Sequence, residues 1–194
     1  MRSVQVNRTT NETDISISLT IDGSGKADIN TGVGFLDHML TLWAVHGLFD
    51  LKIDAKGDLH VDYHHTVEDV GIGLGMAIAR TMKDLTGINR YGLQIIPMEE
   101  ALCEVAIDFC NRPFFVFNCT FPTEKIGAFD TELVEEFLRA VVVNSGITLH
   151  VNVRYGKNSH HIAEAIFKAL GRAMDQATMV NKNVNRVPSS KGVL

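Results

Sequence analysis

Alternating apolar and polar positions predict short strands along much of the chain. Ile15, Ile17, Leu19 and Ile21 fall on every second position of the segment 13–21, the pattern typical of a half-buried strand. The same pattern predicts further strands over 4–9, 26–30, 49–55, 92–96, 102–109, 114–120 and 147–154. Because residues 22–25 read Asp-Gly-Ser-Gly, a turn composition, we expect the segment 26–30 to pair back on the strand before it.

Longer segments with helical spacing of apolar residues predict the helices. They span 35–46, 64–85, 130–144 and 160–179. We expect Gly47 and Gly146 to end the first and third of these helices, since glycine readily takes the left-handed conformation found there. Ser159 is placed to cap the last helix.

Glycines interrupt the second predicted helix at positions 71, 73 and 75. Each costs ~1 kcal/mol relative to alanine in a helix. Their presence indicates a helix that packs closely against another backbone.

The order of elements is the same in both halves of the chain, namely three strands, a helix, a strand and a helix. This order predicts an α+β fold built as an internally duplicated two-layer unit, in which a four-stranded mixed sheet carries two helices on one face. We place the halves at 1–91 and 92–194. No Pro/Ser-rich linker separates them, so we expect them to pack as one body.

A short motif occurs once in each half. Residues 64–68 read His-His-Thr-Val-Glu and residues 160–164 read His-His-Ile-Ala-Glu. On a helix, His64 and Glu68 share a face, and so do His160 and Glu164. Adjacent residues point about 100° apart, so each His-His pair is suited to two ions, or to one ion and a second segment of polypeptide.

Alignment of the first helices of the two halves places His38 opposite Glu136. The duplicated set of candidate metal ligands is therefore His38, His64, His65, Glu68, Glu136, His160, His161 and Glu164. These donors divide into two sites of four ligands, and without thiolates they suit Mn(II), Fe(II), Zn(II) or Ni(II). A single His-His pair is usually a surface or core feature, but matched copies favour metal binding. Asp62 and Tyr63 either orient the histidine rings or are simply loop residues.

Net charge and cysteine content narrow the classes of protein to which this chain can belong. The formal net charge of −5 argues against a nonspecific nucleic-acid binder. The three cysteines lack a metal-type spacing and indicate a reducing compartment, with Cys103 and Cys110 in an apolar stretch that predicts buried, inert thiols. We find no secretory signal and no apolar run long enough to span a membrane, so we expect a cytoplasmic protein.

A set of cationic and small polar residues is suited to binding a phosphate. It comprises Arg8, Arg90, Arg112, Lys168 and the segment 189–192, which reads Ser-Ser-Lys-Gly. Arginine offers paired hydrogen bonds, lysine a point charge, and serine with backbone N–H the remaining contacts. Each of these residues taken alone is more often a solvated surface charge.

Several longer motifs resemble one family, the imidazoleglycerol-phosphate dehydratases. They lie at 31–39 (TGVGFLDHM), 58–69 (DLHVDYHHTVED), 97–102 (PMEEAL), 159–169 (SHHIAEAIFKA) and 188–194 (PSSKGVL). The resemblance implies a lyase that dehydrates D-erythro-imidazole glycerol phosphate to imidazole acetol phosphate plus water in histidine biosynthesis. It also implies two Mn²⁺ ions per active site, a homo-24-mer, and a fold similar to the second domain of ribosomal protein S5.

The resemblance also assigns individual roles. It gives one ion to His38, His65, His160 and Glu164, and the other to His64, Glu68, Glu136 and His161. It places Glu12, Arg90, Arg112, Lys168, Ser190 and Lys191 around the substrate, with Glu12, His38 and Glu164 as the catalytic residues. We expect Glu12 to act as a general acid/base. Glu136 stands where many members have histidine, and Tyr63 stands where aspartate is common.

The residues alone leave other functions open. Paired metal ions with basic residues also suit a phosphate-ester hydrolase. A non-enzymatic cage or metal store would bind metal but leave the cationic set unexplained, and an S5-like nucleic-acid module conflicts with the negative charge. Because His64 and His65 point apart, we expect the ions to be shared between subunits, so that metal drives assembly.

Overall fold

A computed structural model of the chain describes residues 1–192. Within them the elements in chain order are β1 (Ser3–Thr9), β2 (Thr13–Thr20), β3 (Ala27–Asn30), α1 (Gly34–Gly47), β4 (Asp50–Gly57), α2 (His64–Thr81), β5 (Tyr91–Met98), β6 (Ala101–Phe109), β7 (Phe114–Asn118), β8 (Lys125–Ile126), β9 (Phe129–Asp130), α3 (Glu132–Ser145), β10 (Ile147–Tyr155) and α4 (Ser159–Thr178). Apart from the short hairpin of β8 and β9, these are the elements that the residue pattern predicts.

The two large sheets have the same strand order. It is β1-β2-β4-β3 in the first and β5-β6-β10-β7 in the second. In each sheet the last strand of the order runs parallel to its neighbour and the other pairs are antiparallel. The predicted α+β class with a duplicated, four-stranded mixed sheet is therefore confirmed. The division between residues 91 and 92 stays a prediction.

The pairing expected for the segment 26–30 is wrong. β3 lies beside β4 rather than β2, in parallel, with Ile29 opposite Ile53. The intervening helix α1 supplies the crossover that a parallel pair requires. The preceding turn is tied to the start of β4, because the Asp50 carboxylate accepts hydrogen bonds from the backbone N–H groups of Ser24 (2.8 Å) and Lys26 (3.0 Å).

Two of the predicted helix caps are also wrong, each by one residue. Leu48, with φ 57°, takes the left-handed position after α1, while Gly47 lies within the helix. A Cβ on Gly47 would overlap the ring of Phe49, so glycine is required there for space rather than for a turn. Asn158 caps α4 by accepting from His160 N at 2.9 Å, whereas Ser159 is the first helical residue. Gly146 ends α3 with φ 75°, as predicted.

Two helix boundaries differ from those predicted. α2 ends at Thr81 rather than near Leu85, and just beyond it the Asp84 carboxylate accepts from Thr86 N at 2.9 Å. Such local side-chain bonds compete with helix formation. α3 begins after Asp130 because the residues before it pair as strand β9.

The helices of the two halves pack on one another. α1 packs against α4, and α2 packs against α3. The α2–α3 contact is close because a Cβ on Gly71 or Gly75 would come within 2.8 Å or 2.7 Å of an α3 carbonyl oxygen. The predicted tight approach of a glycine-bearing helix to another backbone is thus confirmed. It joins the halves through one continuous hydrophobic core.

The cysteine thiols are free. Cys103 and Cys110 are buried, as predicted. Burial raises the pKa of the Cys103 thiol to about 12, which keeps it protonated and unreactive near neutral pH.

Candidate metal centre

Three predicted ligands from the two halves converge between α1 and α4. His38 lies on α1, and His160 and Glu164 lie one turn apart on α4. The Nε2 atoms of His38 and His160 are each 3.0 Å from Glu164 Oε1, and one ligand atom from each residue lies within 4.8 Å of the others. Two imidazole nitrogens and a carboxylate oxygen thus face a common point, which is the donor set that a borderline divalent cation prefers.

Glu164, the acid of this group, is held by several contacts. It is buried, with 8% of its surface exposed, and Lys168 Nζ donates to its Oε2 at 2.6 Å. Burial raises its pKa, but hydrogen bonds from Lys168 and His38 outweigh burial and lower the pKa to about 2. The carboxylate is therefore ionised at neutral pH and available as a ligand.

An aromatic wall supports this group. The ring of Phe35 meets the ring of His160 edge to face, with centroids 5.3 Å apart. Phe35 in turn packs against Phe129 at 4.9 Å. These contacts limit the rotation of His160 and keep its Nε2 directed at Glu164.

His64 and Glu68 form a looser pair on the first turn of α2. Their nearest side-chain atoms are 4.0 Å apart, and the two side chains are 46% and 40% exposed. Glu136 lies on α3, the helix that packs against α2. Within residues 1–192, neither Glu136 nor His161 joins His64 and Glu68 in a group of three or more ligands.

His65 lies apart from the group of His38. Its Nδ1 is 2.9 Å from Asp58 Oδ2, and its Nε2 is 3.8 Å from Glu12 Oε1. The hydrogen bond to Asp58 raises the pKa of His65 and lowers that of Asp58. His65, the fourth ligand expected beside His38, therefore does not join the group of His38 in the described part of one chain.

His161 has acidic neighbours that the spacing of residues did not indicate. Its Nδ1 is 2.7 Å from Glu100 Oε2, and it forms a possible metal-ligating group with Glu99 and Glu100. The hydrogen bond from His161, followed by those from two backbone N–H groups, lowers the pKa of Glu100 to about 2. The same hydrogen bond raises the pKa of His161.

Asp58 and Glu100 are the residues whose contacts with the histidines were missed. Both lie within the motifs at 58–69 and 97–102, but neither stands three or four residues from the histidine that it contacts. Only the end of β4 and the β5–β6 turn bring them into contact. Asp62, one of the two residues considered for orienting a ring, instead accepts from the backbone N of His64 at 2.7 Å.

Arg90 is buried and already paired. Its guanidinium contacts the Asp108 carboxylate through two nitrogens, at 2.6 Å and 3.0 Å, and donates to Pro188 O at 2.8 Å. The hydrogen bond that Arg90 donates to Asp108 raises the Arg90 pKa above its ordinary value. Arg90 therefore fixes the C-terminal segment to the start of β5.

An open cavity of about 1070 Å³ lies along this segment, between Arg90, Tyr91 and residues 183–190, with Gly192. Ser190 lines it as well. The predicted metal ligands are absent from its described lining. Within one chain, this part of the predicted phosphate-binding set and the histidine clusters are therefore on separate surfaces.

The other predicted anion-binding residues are dispersed. Arg112 is exposed beside β7, while Lys168 is half-buried against Glu164. Lys191 is exposed, and its backbone N donates to Ser189 Oγ at 3.2 Å. Arg8 is engaged by Asp69 at 2.8 Å. The motif at 188–194 is described only as far as Gly192, and positions 193 and 194 lie outside the described residues.

Comparison with known proteins decides among the functions that these clusters allow. A family model described as "Imidazoleglycerol-phosphate dehydratase" matches residues 31–174. The chain belongs to this family. Curated imidazoleglycerol-phosphate dehydratases of Acetivibrio thermocellus and Geobacillus kaustophilus are 57% and 56% identical to it over 193 residues, which is 100% of this chain and 99% of each relative.

Solved structures agree with that membership in the dehydratase family. The crystal structure of imidazoleglycerol-phosphate dehydratase from Staphylococcus aureus matches with a TM-score of 0.85 at 45% identity, over 92% of this chain and 99% of that one. A structure from Pyrococcus furiosus matches with a TM-score of 0.83 at 37% identity, over 97% and 100%. The chain is accordingly a dehydratase enzyme of histidine biosynthesis. Among residues 1–192, no helix combines the length and apolarity needed to cross a bilayer.

Proposed function

We propose that the chain dehydrates D-erythro-imidazole glycerol phosphate to imidazole acetol phosphate and water, as a metal-dependent hydro-lyase. The observation that carries this proposal is the convergence of His38, His160 and Glu164 between helices of the two halves. A hydrolase of phosphate esters and a metal store both lack support from the comparisons, whereas the dehydratase relatives span the whole chain.

The ligand sets fit two Mn²⁺ ions per active site. We assign one ion to His38, His65, His160 and Glu164, and the other to His64, Glu68, Glu136 and His161. Imidazole and carboxylate donors without thiolate suit this metal. When bound, such a cation supplies Lewis acidity toward the imidazole ring of the substrate.

Sharing between subunits follows from the incomplete sets in one chain. His65 contacts Asp58 rather than the group of His38, and His161 contacts Glu100 rather than the pair of His64. A neighbouring copy that supplies the remaining ligands would complete both sites. We therefore propose metal-linked self-assembly, with a homo-24-mer as the assembled form.

One sheet surface supports assembly. Tyr91, Leu93 and Ile95 on the outer side of β5 are 57%, 55% and 47% exposed. On β1, the corresponding edge strand of the first sheet, the exposed positions are Ser3, Gln5, Asn7 and Thr9. The apolar outer side of β5 is therefore suited to contact with another copy.

Glu12 is our candidate for proton transfer. Its side chain is 51% exposed, and its Oε1 lies 3.8 Å from His65 Nε2, so a solvent-accessible carboxylate lies beside a proposed ligand. A positioned carboxylate of this kind contributes ~10²–10⁴-fold to a rate by general acid–base catalysis. We include His38 and Glu164 in the catalytic set because they are proposed ligands of the metal ion that acts on the substrate.

The phosphate of the substrate requires cationic and hydrogen-bonding groups, and within one chain the candidates at Arg90 and Ser190 lie apart from the histidine clusters. We assign it to Arg90, Arg112, Lys168, Ser190 and Lys191. Arg90 supports this role by holding the C-terminal segment through Pro188, which fixes the start of the tail that carries Ser190 and Lys191. Correct placement of the phosphate would position the reacting carbons. We also propose a cytoplasmic location, consistent with the free thiols.

The test is an assay of water loss from imidazole glycerol phosphate by the purified chain. The protein is first stripped with a chelator and then assayed with and without added Mn²⁺. We expect conversion to the acetol phosphate only with metal. Release of inorganic phosphate in place of dehydration would favour the hydrolase, and bound metal with no turnover would favour the metal store.

A further inference from the structure

The second histidine of each His-His pair has one ring nitrogen engaged by a carboxylate. His65 Nδ1 lies 2.9 Å from Asp58 Oδ2, and His161 Nδ1 lies 2.7 Å from Glu100 Oε2. His38 and His160 differ, since their Nε2 atoms face Glu164 directly. His65 and His161 therefore each have a carboxylate at Nδ1, whereas His38 and His160 each have one at Nε2.

An ionised carboxylate only accepts hydrogen bonds, so in the neutral form of each of these rings the proton resides on Nδ1 and the lone pair on Nε2. We propose that Asp58 and Glu100 are positioning residues that hold His65 and His161 in the tautomer and ring orientation needed to bind a metal through Nε2. The inference rests on the proposed function. It extends that function to two carboxylates that are not themselves assigned as ligands.

The two carboxylates occupy unrelated places in the duplicated fold. Asp58 stands seven residues before His65, and the residue at the same distance before His161 is Arg154. Glu100 instead comes from the turn between β5 and β6. The arrangement is therefore not a by-product of repeating one unit, because each half provides its carboxylate from a different element.

A contact that is repeated in both halves, by contrast, comes from the same position before each His-His pair. Asp62 accepts from His64 N at 2.7 Å, and Asn158 accepts from His160 N at 2.9 Å, each two residues before its histidine. These two acceptors stand at the same distance from their histidines in the two repeats. They also show that an amide can replace a carboxylate where only an acceptor oxygen is required.

Glu100 cannot be replaced by an amide without consequence. Its Oε1 accepts from the backbone N–H groups of Lys157 and Asn158 at 3.0 Å and 2.8 Å. In Glu100→Gln the amide oxygen must stay on these two donors, so the NH₂ group is turned toward His161 Nδ1. That nitrogen then becomes the acceptor and the ring proton moves to Nε2, which removes the lone pair from the metal-binding side.

Asp58 is held less rigidly. Its Oδ1 is buried and has no hydrogen-bond partner in the described part of the chain. In Asp58→Asn the amide oxygen is free to stay on His65 Nδ1 and preserve the tautomer. The same carboxylate-to-amide change is therefore expected to have a large effect at Glu100 and a small effect at Asp58.

The experiment compares Mn²⁺ binding by calorimetric titration in the full-length unaltered chain and in Glu100→Gln, Asp58→Asn and Asp58→Ala. Asp62→Asn is the matched control, because it removes a nearby negative charge but keeps an acceptor oxygen for the backbone N–H of His64. We expect the dissociation constant to rise ~10–100-fold in Glu100→Gln and Asp58→Ala, the range typical of lost ligand-orienting contacts. Asp58→Asn and Asp62→Asn should each change it by less than ~10-fold.

A second measurement separates tautomer control from general loss of structure. In the metal-free protein, ¹⁵N-labelled histidine should show the His161 proton on Nδ1 in the unaltered chain and on Nε2 in Glu100→Gln. Unchanged Mn²⁺ affinity or an unchanged tautomer in Glu100→Gln would overturn the proposal. An equal loss of affinity in Asp62→Asn would also overturn it, by showing that charge alone matters.

Two further outcomes keep the test decisive. If Glu100→Gln does not fold, the comparison of Asp58→Ala with Asp58→Asn decides, and equal affinities of those two variants would contradict the proposal. An unaltered chain that turns over its substrate with Mn²⁺ while Glu100→Gln binds the metal equally well would leave the proposed function standing and remove only the positioning role. An unaltered chain that binds no Mn²⁺ would remove both.

Discussion

Gly75→Ala tests the helix contact that joins the two halves. A Cβ at this position would lie 2.7 Å from Val141 O and 2.7 Å from Asn144 Cβ, both on α3. Ordinary van der Waals contact begins near 3.4 Å, so α2 and α3 must separate by several tenths of an ångström. Neither the carbonyl nor the Cβ can move aside without moving the helix.

The expected change in the free energy of unfolding is the sum of two opposing effects. Overpacking a well-packed contact costs ~1–3 kcal/mol. Replacing a helical glycine by alanine returns ~1 kcal/mol through helix propensity. We therefore expect a net loss of up to about 2 kcal/mol in the free energy of unfolding, which for a chain of this size lowers Tm by up to ~8 °C.

Thermal unfolding of the metal-free protein, followed by circular dichroism, measures this effect. Gly34→Ala is the matched control, because Gly34 is also helical and a Cβ there would meet no atom within 4 Å. We expect the control to leave Tm unchanged or raise it. A higher Tm in Gly75→Ala than in the unaltered chain would refute close packing of α2 on α3.

The remaining predictions concern the site. Glu12→Gln should lower kcat ~10²–10⁴-fold with unchanged metal content, as measured by steady-state kinetics and elemental analysis, and an unaltered kcat would remove it from the chemistry. Lys191→Ala should mainly raise KM, and an effect confined to kcat would contradict its phosphate role. Glu164→Ala should lose bound Mn²⁺, and full occupancy would contradict its assignment as a ligand. The folded-state pKa of Glu164 is about 2, below the ordinary glutamate value of 4.5. Its ionised form therefore stabilises the metal-free protein fully above pH 4.5 and progressively less as the pH falls toward 2. Chemical denaturation across that range should show a steeper loss of stability for the unaltered chain than for Glu164→Ala.

Residue patterns predict the fold well where burial determines the structure. The alternation of Ile15, Ile17 and Leu19 predicts β2, and the three are buried in the core. The pattern fails where the outcome depends on distant partners. The placement of β3 beside β4 depends on the crossover through α1 and on the Asp50 carboxylate. A local turn composition carries no information about either.

The candidate site follows the same division. Helical spacing predicts that His160 and Glu164 act together, and in the structure His160 Nε2 lies 3.0 Å from Glu164 Oε1. The repeat adds His38 from the other half. The contacts of Asp58 and Glu100 could not be predicted, because a strand end and a tight turn bring them to the histidines across the fold. The spacing of residues is informative within one helix and uninformative between separate elements.

The most direct measurement of the central claim combines metal analysis with the dehydration assay on the same purified material. We expect active protein to contain Mn²⁺ at two ions per active site, to lose activity and assembled size on chelation, and to recover both when the metal is restored. Fully active protein that contains no transition metal would contradict the shared metal centre and, with it, the roles assigned to the duplicated histidine motifs.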